Sequence, residues 1–459
     1  MSVPCQSVVV PTSRAPTALV LLAVALGFVM AMLDVTVVNV ALSDLQREFD
    51  VTLSSLVWVI DAYTLMFASF LLLGGALANV LGAKHAYMLG LAWFILASLL
   101  CGLATSAPML IGARFLQGIG AALFMPSSLS LLTEAFPDRN TRIRMVGIWG
   151  AIVGAAAGSG PFIGGLLVNE LGWRSIFYLN LPIGLLGILL TLWAIHPSPR
   201  KPIVFNLPTH LLIMLTLAGL SFVLIEGPSL GWTAPANQIA MAIAAFGALA
   251  VIVREKRSAS PVIPAPLRHN PNFWALNGLG FLINFALFGE IFLVALLLQQ
   301  FHHTTALQTG AWMLPVMATV PISNYASGRF AQRFGERRVM LTGLSIAVLG
   351  SLVTACVGGG VTYLWIVPAI ALCNAGMGLA LPAAISSVMH VAGATYSNVA
   401  AASLNANRQI GALAGVAVMG IVLHVVSDWT LSVRIAFAIN ALVLLVGALL
   451  VKGLSESAH

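Results

Sequence analysis

Three acidic residues, Asp34, Asp61 and Glu290, stand inside long apolar stretches of a chain that has only 14 Asp and Glu among its 459 residues. If these stretches cross a bilayer, an acid at its centre costs about 2.5–3.5 kcal/mol on insertion scales, so it should face a cavity or a partner. A carboxyl in such a place can exchange a proton or neutralise a cation. The pattern therefore predicts proton or cation handling inside a membrane.

Aromatic and amide side chains accompany two of these acids. Asp61 lies between Trp58 and Tyr63, whose rings can stack on a cation. We therefore expect Asp61 to contact substrate, and the alternative is an acid at the interface with water. Glu290 is flanked by a nearly continuous apolar run, with Asn284 six residues before it. We expect Glu290 to be a second carboxylate for cations or protons.

Other reactive groups do not form recognisable sites. No G-x-x-x-x-G-K-[ST] phosphate loop, metal-ligand cluster or catalytic triad spacing occurs, and the four cysteines are scattered. Glu226, beside Gly227 and Pro228, is interpreted as a loop acid. We therefore predict no enzyme activity, no cofactor and no metal, and an ion gradient as the source of energy.

The composition explains why the chain must lie in a membrane. It is 59% hydrophobic and only 8% charged, whereas soluble proteins are about 45–50% apolar and about 25% charged. The net charge of +7 comes from basic residues in short loops between apolar runs, which is the pattern of membrane topology. Nucleic-acid binding is therefore a poor explanation of the charge.

Apolar runs of membrane-spanning length predict an all-α polytopic protein with 14 transmembrane helices. The first run is too long for the core of a signal peptide, so we expect it to be retained. The predicted spans are 18–42, 54–78, 86–105, 108–132, 146–168, 175–196, 207–226, 237–254, 272–298, 307–329, 338–357, 362–389, 399–425 and 432–452.

Lysine and arginine set the orientation of these spans. With both termini in the cytoplasm, 16 of the 21 basic residues fall in inside segments and three fall outside. The remaining two, Arg114 and Arg408, lie within spans. Because positive residues collect in cytoplasmic loops, we predict a multi-pass protein of the cell inner (cytoplasmic) membrane with both termini cytoplasmic.

An internal repeat divides the chain into two related halves. Residues 75–84 recur as residues 328–337, with matching glycines and a basic last residue, at an offset of 328 − 75 = 253. Residues 120–126 match residues 376–382 at an offset of 256. Repeated halves are typical of transporters. We therefore predict two six-helix bundles, 1–200 and 266–459, separated by a two-span insert and linker, 201–265.

Several spans carry distinctive sequence motifs. The first span carries Leu-Asp-Val-Thr-Val-Val-Asn-Val-Ala-Leu at 33–42, and the fourth carries Arg-Phe-Leu-Gln-Gly-Ile-Gly-Ala-Ala at 114–122. The fifth carries Gly-Ala-Ala-Ala-Gly-Ser-Gly-Pro-Phe-Ile-Gly-Gly at 154–165. Together these motifs resemble the major facilitator superfamily, and the fifth-span motif is similar to one of its antiporters. With segments 172–184 and 405–411, the resemblance is to the fourteen-span drug:proton antiporters.

The loop motif after the second span is similar in its glycines and in Lys84, but Asn79 stands where the family usually has Asp. In the fifth span, Gly154 with Gly158, and Gly160 with Gly164, form small-xxx-small pairs that predict close helix packing. The resemblance implies conformational roles for the motif positions Gly75, Gly82, Lys84, Gly154, Gly158, Pro161, Gly164, Gly165, Arg333 and Arg408.

For the site, the resemblance implies that Arg114 faces Asp34. We expect this pair to couple transport to protons, together with Glu290, which is a candidate because of its apolar surroundings. The expected substrate site contains Asp34, Asp61, Glu290, Trp58, Tyr63, Gln117 and Asn284.

The function implied is proton-coupled export of lipophilic, cationic drugs. The partners are then the small molecule, protons and the lipid bilayer, and a monomer is sufficient for this fold. Three alternatives remain. These are a dedicated exporter of one metabolite or antibiotic, a proton-coupled nutrient symporter, and a transporter-like sensor or scaffold, which would not need acids inside the membrane.

Overall fold

The fold is all-helical throughout the part of the chain that the structure describes. The structure is a computed structural model, and it describes residues 16–136, 138–198, 200, 207–257, 261, 263–358 and 363–454. The helices are long because their sequences are apolar around nearly the whole circumference, as expected where one side meets lipid and the other meets protein.

The first half of the chain forms five long helices and one that begins with a short turn. Glycine separates α2 from α3, since Gly82 has φ +85°, which a side chain would strain. The Ser106 and Asp138 side chains cap the first turns of α4 and α5. The helices are α1 (Thr17–Phe49), α2 (Leu53–Leu81), α3 (Ala83–Gly102), α4 (Ala107–Ala135), α5 (Arg139–Leu171), α6 (Ser175–Tyr178) and α7 (Asn180–Ala194).

The insert and the second half follow the same pattern. The insert contributes α8 (Leu207–Leu230) and α9 (Pro235–Arg257). The second half contains α10 (Ala265–Arg268), α11 (Pro271–Leu296), α12 (Ala306–Phe334), α13 (Glu336–Val357), α14 (Tyr363–Val425) and α15 (Trp429–Lys452). A π-helical turn, Leu297–Phe301, extends α11. At Gly393 the backbone is non-helical, so α14 forms two spans, Tyr363–Gly393 and Val399–Val425.

Thirteen of the described helical stretches are long and apolar enough to cross a membrane. The predicted span at 307–329 corresponds to α12, which has 29 residues but is not among the 13. This helix carries Pro315 and Pro321 and ends with Arg329 and Arg333, so its composition is more polar than that of its neighbours. The predicted fold class is thus confirmed. The 14 predicted spans are one more than the 13 described stretches that are apolar enough to cross a membrane. The domain boundaries at 200 and 266 stay a prediction.

The halves meet along two pairs of helices. Helix α5 packs on α12, and α2 packs on α14. The insert helices α8 and α9 pack on each other, and α8 also contacts α2 and α14. The insert therefore lies beside the contact between α2 and α14.

Apolar contact between the halves is concentrated at the end of the bundle remote from the chain termini. A large buried cluster at that end combines residues of both halves, including Leu42 and Leu56 with Leu293 and Val416. At the terminal end, the buried residues of one cluster all come from the first half, and those of another all come from the second. Hydrogen bonds reinforce the remote end, where the Gln299 side chain bonds the backbone of α1.

Helix α5 uses its glycines to approach two helices at once. A Cβ added at Gly164 would lie 2.7 Å from Val37 Cγ1 of α1, and one at Gly165 would lie 2.3 Å from the Ala306 carbonyl oxygen of α12. In return, a Cβ at Gly310 of α12 would lie 2.1 Å from the Pro161 carbonyl oxygen. The contact between α5 and α12 therefore brings backbone directly against backbone.

We expect Gly165→Ala to weaken this contact, because the obstructing atom is backbone and cannot move aside. The loss should be about 1–3 kcal/mol, as for other overpacked sites. It is measured by thermal unfolding in detergent together with substrate efflux. Gly150→Ala is the matched control on α5, since a Cβ there meets nothing within 4 Å. Equal stability of the two variants would show that α5 and α12 are not in tight contact in the membrane.

Candidate functional site

Asp34 and Arg114 form an ion pair in the interior of the first half. Arg114 Nη1 donates to Asp34 Oδ2, and both side chains are 1% exposed. Arg114 Nε also donates to the carbonyl oxygen of Val59 on α2, at 2.9 Å. The pair therefore links α1, α2 and α4.

Neutral polar groups complete the surroundings of Asp34. Gln117 Nε2 and Asn180 Nδ2 both donate to Asp34 Oδ1, at 2.8 and 2.9 Å. Asn180 also bonds the Ser98 hydroxyl, at 3.0 Å, which in turn donates to the Phe177 carbonyl oxygen. Because Gln117, Asn180 and Ser98 are fully buried, Asp34 of α1 is enclosed by hydrogen bonds from α4 and α7, whose donors Gln117 and Asn180 also bond Ser98 of α3.

Aromatic rings cover the cation of this pair. The Arg114 guanidinium carbon lies 4.6 Å from the centroid of the Tyr63 ring and 5.9 Å from that of Phe177. Such stacking stabilises a desolvated guanidinium. The ring of Tyr63 is therefore turned to Arg114 and away from the side of α2 that carries Asp61. We call Asp34, Arg114, Gln117, Asn180, Ser98 and Tyr63 the first acid cage.

Asp61 is buried without a hydrogen-bond partner in the part of the chain that the structure describes. Its side chain is 0% exposed, and neither carboxylate oxygen has a hydrogen-bond partner. Val57 and Leu65, one turn to either side on the same face of α2, pack against Gly420 of α14 and against a cluster that contains Leu217 of α8. Asp61 therefore lies in the contact of α2 with the second half and the insert.

Glu290 lies inside the second half, away from the other two acids. It is 1% exposed, and Asn374 Nδ2 donates to its Oε1. The Cys373 thiol is a neighbour of the same carboxyl and lies 3.2 Å from the Ser351 hydroxyl. The second oxygen, Oε2, has no hydrogen-bond partner among the described residues. We call Glu290, Asn374, Cys373 and Ser351 the second acid cage.

The remaining predicted substrate contacts are dispersed. Trp58 Nε1 donates to Glu226 of α8, at 2.8 Å, and its ring lies between Phe115 and Phe222. Asn284 Nδ2 bonds the carbonyl oxygen of Gly280 on its own helix, at 3.0 Å. The structure thus brings Asp34, Gln117, Arg114 and Tyr63 together but places Asp61, Glu290 and Asn284 elsewhere.

The basic motif residues act at helix ends. Lys84 Nζ donates to the Ile195 carbonyl oxygen, at 2.5 Å, just after the last residue of α7. Arg337 Nη2 donates to the Lys452 carbonyl oxygen at the end of α15, at 2.6 Å. A cation at a helix C-terminus satisfies exposed carbonyls and the helix dipole. Lys84 and Arg337 therefore perform the same task in the two halves.

Arg333 and Arg408 are less constrained. Arg333 is exposed, with its guanidinium 5.3 Å from the Phe334 ring centroid. Arg408 Nη1 bonds the Asn405 side chain, at 3.2 Å, while its buried Nε has no partner. None of the ion pairs seen in the described ranges involves Arg408. Within those ranges, no group of three or more His, Cys, Asp or Glu side chains could hold a metal ion.

Comparison with known proteins shows the family of this chain. A sequence profile described as Major Facilitator Superfamily matches residues 24–416. The chain belongs to this superfamily. It is 44% identical to the Methylenomycin A resistance protein of Streptomyces coelicolor over 434 residues, which are 95% of this chain and 91% of that protein. It is 36% identical to the Multidrug resistance protein Stp of Mycobacterium tuberculosis, over 88% of this chain and 75% of that one.

Solved structures agree on the fold. The human organic anion transporter MFSD10 (TETRAN) superposes with a TM-score of 0.69 at 16% identity, covering 95% of this chain and 100% of that one. As predicted, this member of the Major Facilitator Superfamily is a multi-pass membrane transporter and not an enzyme.

Sequence reasoning missed several members of the two acid cages. Ser98, Asn180 and Asn374 are single polar residues in apolar spans, a pattern that also fits hydrogen-bonded packing residues. Glu226, interpreted from sequence as a loop acid, lies in α8, and that interpretation was wrong. Glycine and proline beside it resembled a loop, yet Pro228 is inside the helix.

The enclosure of Asp34 predicts a strong coupling with Arg114. Asp34→Asn or Arg114→Gln alone leaves the other charge buried without its counter-ion, which costs about 3–5 kcal/mol. The double variant should lose less than the sum of the two single variants, measured by unfolding of the purified protein in detergent. Asp44→Asn is the control on α1, because its ion pair with Arg47 is solvent-exposed. Additive losses would contradict the coupling.

Proposed function

We propose that this transporter exports lipophilic, cationic small molecules in exchange for protons. The names of its relatives, which refer to antibiotic and multidrug resistance, support export of toxic compounds. The observation that carries the proposal is Asp61. Its buried carboxyl has no hydrogen-bond partner among the described residues, and it lies in the contact between the halves.

The chemistry of Asp61 favours exchange of a proton for a cation. An isolated carboxylate in an apolar contact is unfavourable by several kcal/mol, and either a proton or a bound cation removes that cost. The two cannot neutralise the same carboxyl at once, so binding of one displaces the other. Because α2 packs on α14 across the two halves, relative movement of the halves also changes the surroundings of Asp61.

The aromatic residues near Asp61 suit a lipophilic cation. Trp58, one turn before Asp61 on α2, lies between Phe115 of α4 and Phe222 of α8. The bond from Trp58 to Glu226 fixes its ring. Aromatic faces attract organic cations most strongly where water is excluded. The same proposal includes the roles predicted for Asp34, Arg114, Gln117 and Tyr63. We assign this group the task of linking proton movement to the packing of the first half.

The orientation completes the proposal. Sixteen basic residues fall on the side of the termini in the predicted topology, against three on the other, which favours cytoplasmic termini in the inner membrane. Since the apolar contact between the halves is at the remote end, the conformation described is then the one that faces the cytoplasm. An exporter binds its substrate in this state.

A dedicated exporter of one antibiotic is the second candidate. The observation that favours it is the 44% identity to a protein named for resistance to methylenomycin A alone. Resistance of a sensitive host to methylenomycin A and to a panel of cationic dyes separates the two. Resistance confined to the antibiotic supports the dedicated exporter.

We expect Asp61→Asn to abolish export of a monovalent cationic dye from loaded cells, because the amide cannot exchange a proton. A proton uncoupler should have the same effect on the wild type, measured as dye retained per cell. Glu170→Gln, at an exposed position of α5, is the control for expression and charge. Undiminished efflux with the uncoupler rejects proton coupling. Undiminished efflux by Asp61→Asn rejects this carboxyl as the site of exchange.

A further inference from the structure

The internal repeat relates the acid of one cage to the acid of the other. Asp34 plus the offset of 256 residues gives 34 + 256 = 290, the position of Glu290. Lys84 plus the earlier offset gives 84 + 253 = 337, and Lys84 and Arg337 cap the ends of equivalent helices. The repeat therefore holds in three dimensions as well as in sequence.

The hydrogen-bonding neighbours repeat too. Ser98 corresponds to 98 + 253 = 351, a serine, and Gln117 to 117 + 256 = 373, a cysteine. Ser98 lies 3.3 Å from Gln117 Nε2 in the first cage, and Ser351 lies 3.2 Å from the Cys373 sulfur in the second. Helices α1, α3 and α4 of the first cage thus correspond to α11, α13 and α14 of the second, and the two cages share one arrangement.

One element of the first cage is missing from the second. The position equivalent to Arg114 is 114 + 256 = 370, where a fully buried isoleucine stands. Asn374 bonds Oε1 of Glu290, and Oε2 has no hydrogen-bond partner among the described residues. The titratable groups that face Glu290 are Tyr363 and Cys373, both from α14, and Ser351 of α13 lies 3.2 Å from the Cys373 sulfur. Among the described residues, no Lys, Arg or His forms an ion pair with Glu290.

We propose that Glu290 carries a second exchangeable proton of the transport cycle, in addition to the one exchanged at Asp61. The inference rests on the proposed proton coupling. In the first cage the guanidinium compensates a carboxylate. In the second, where the described residues form no ion pair with Glu290, a proton on Oε2 takes that place. When that proton leaves to water, the carboxylate keeps its bond from Asn374. All four members of the second cage are at most 1% exposed, so we assign Glu290 a proton and no substrate.

A second proton has an electrical consequence. If a monovalent cation leaves in exchange for more than one proton, net positive charge moves inward, and the membrane potential drives transport. Without the Glu290 proton, exchange of a monovalent cation at Asp61 moves no net charge. The response to membrane potential therefore reports on Glu290 specifically.

The test uses the purified full chain in liposomes with a monovalent cationic dye. A pH gradient without potential, or a potassium diffusion potential without pH gradient, is imposed in parallel. We expect the wild type to respond to both gradients. Glu290→Gln should still respond to the pH gradient but lose the response to potential. Ile370→Arg, which supplies the missing guanidinium and keeps Glu290 ionised, should behave in the same way, and Ile370→Met controls for side-chain length.

Each outcome decides a different point. A wild type that responds to neither gradient rejects the proposed proton coupling itself. A wild type that responds to the pH gradient alone leaves the coupling intact and overturns the second proton, as does a Glu290→Gln variant that keeps the full response to potential. If Glu290→Gln does not transport, the deciding measurement is the number of protons released when the purified protein binds dye in detergent. Release of fewer protons by the variant than by the wild type supports the inference, and release of an equal number overturns it.

Discussion

The cost of an uncompensated charge in an apolar interior governs the arrangement of this molecule. Arg114 and Asp34 are tolerated in the first half because each meets the other, and because the amides of Gln117 and Asn180 bond the second carboxylate oxygen, Oδ1. Lys84 is tolerated near a membrane surface because its ammonium meets the free carbonyls at the end of α7. The positions where compensation is absent, Asp61 and Glu290, are therefore the ones that can accept a proton or a cation in return.

The fold could be predicted largely from sequence, because lipid imposes a simple rule on length and polarity. All 14 spans correspond to helices or to parts of α14, although α12 is more polar than the rest. The break at Gly393 within α14 lies between the predicted spans 362–389 and 399–425. It could be predicted because apolar runs are interrupted where the chain meets water. The repeat was also visible, because its glycines mark equivalent turns.

The site could be predicted only in part. The resemblance to a family implied the Asp34–Arg114 contact, and the structure places those side chains together. It did not indicate that Tyr63, two residues after Asp61, would turn to Arg114 and leave Asp61 alone. Adjacent residues on a helix point about 100° apart, so closeness in sequence does not predict a shared site. The equivalence of Asp34 and Glu290 could have been found by applying the second repeat offset to the acids, since 34 + 256 = 290, but Asn374 has no such signal because its counterpart, 374 − 256 = 118, is a glycine.

Hydrogen bonds also explain how the insert is attached to the rest of the molecule. Helix α8 would be a peripheral lipid-facing helix if apolar packing were its only contact, yet Glu226 accepts hydrogen bonds from Trp58 and Ser54 of α2. These bonds fix α8 to the first half at the remote end, while its contact with α14 is mainly between apolar side chains, although Ser229 and His424 also line the space between the two helices. Polar bonds resist sliding more than apolar surfaces do, because a displaced donor or acceptor is left unsatisfied. When the halves move, α8 should therefore follow α2 and slide over α14, which keeps the surroundings of Asp61 shielded from lipid throughout.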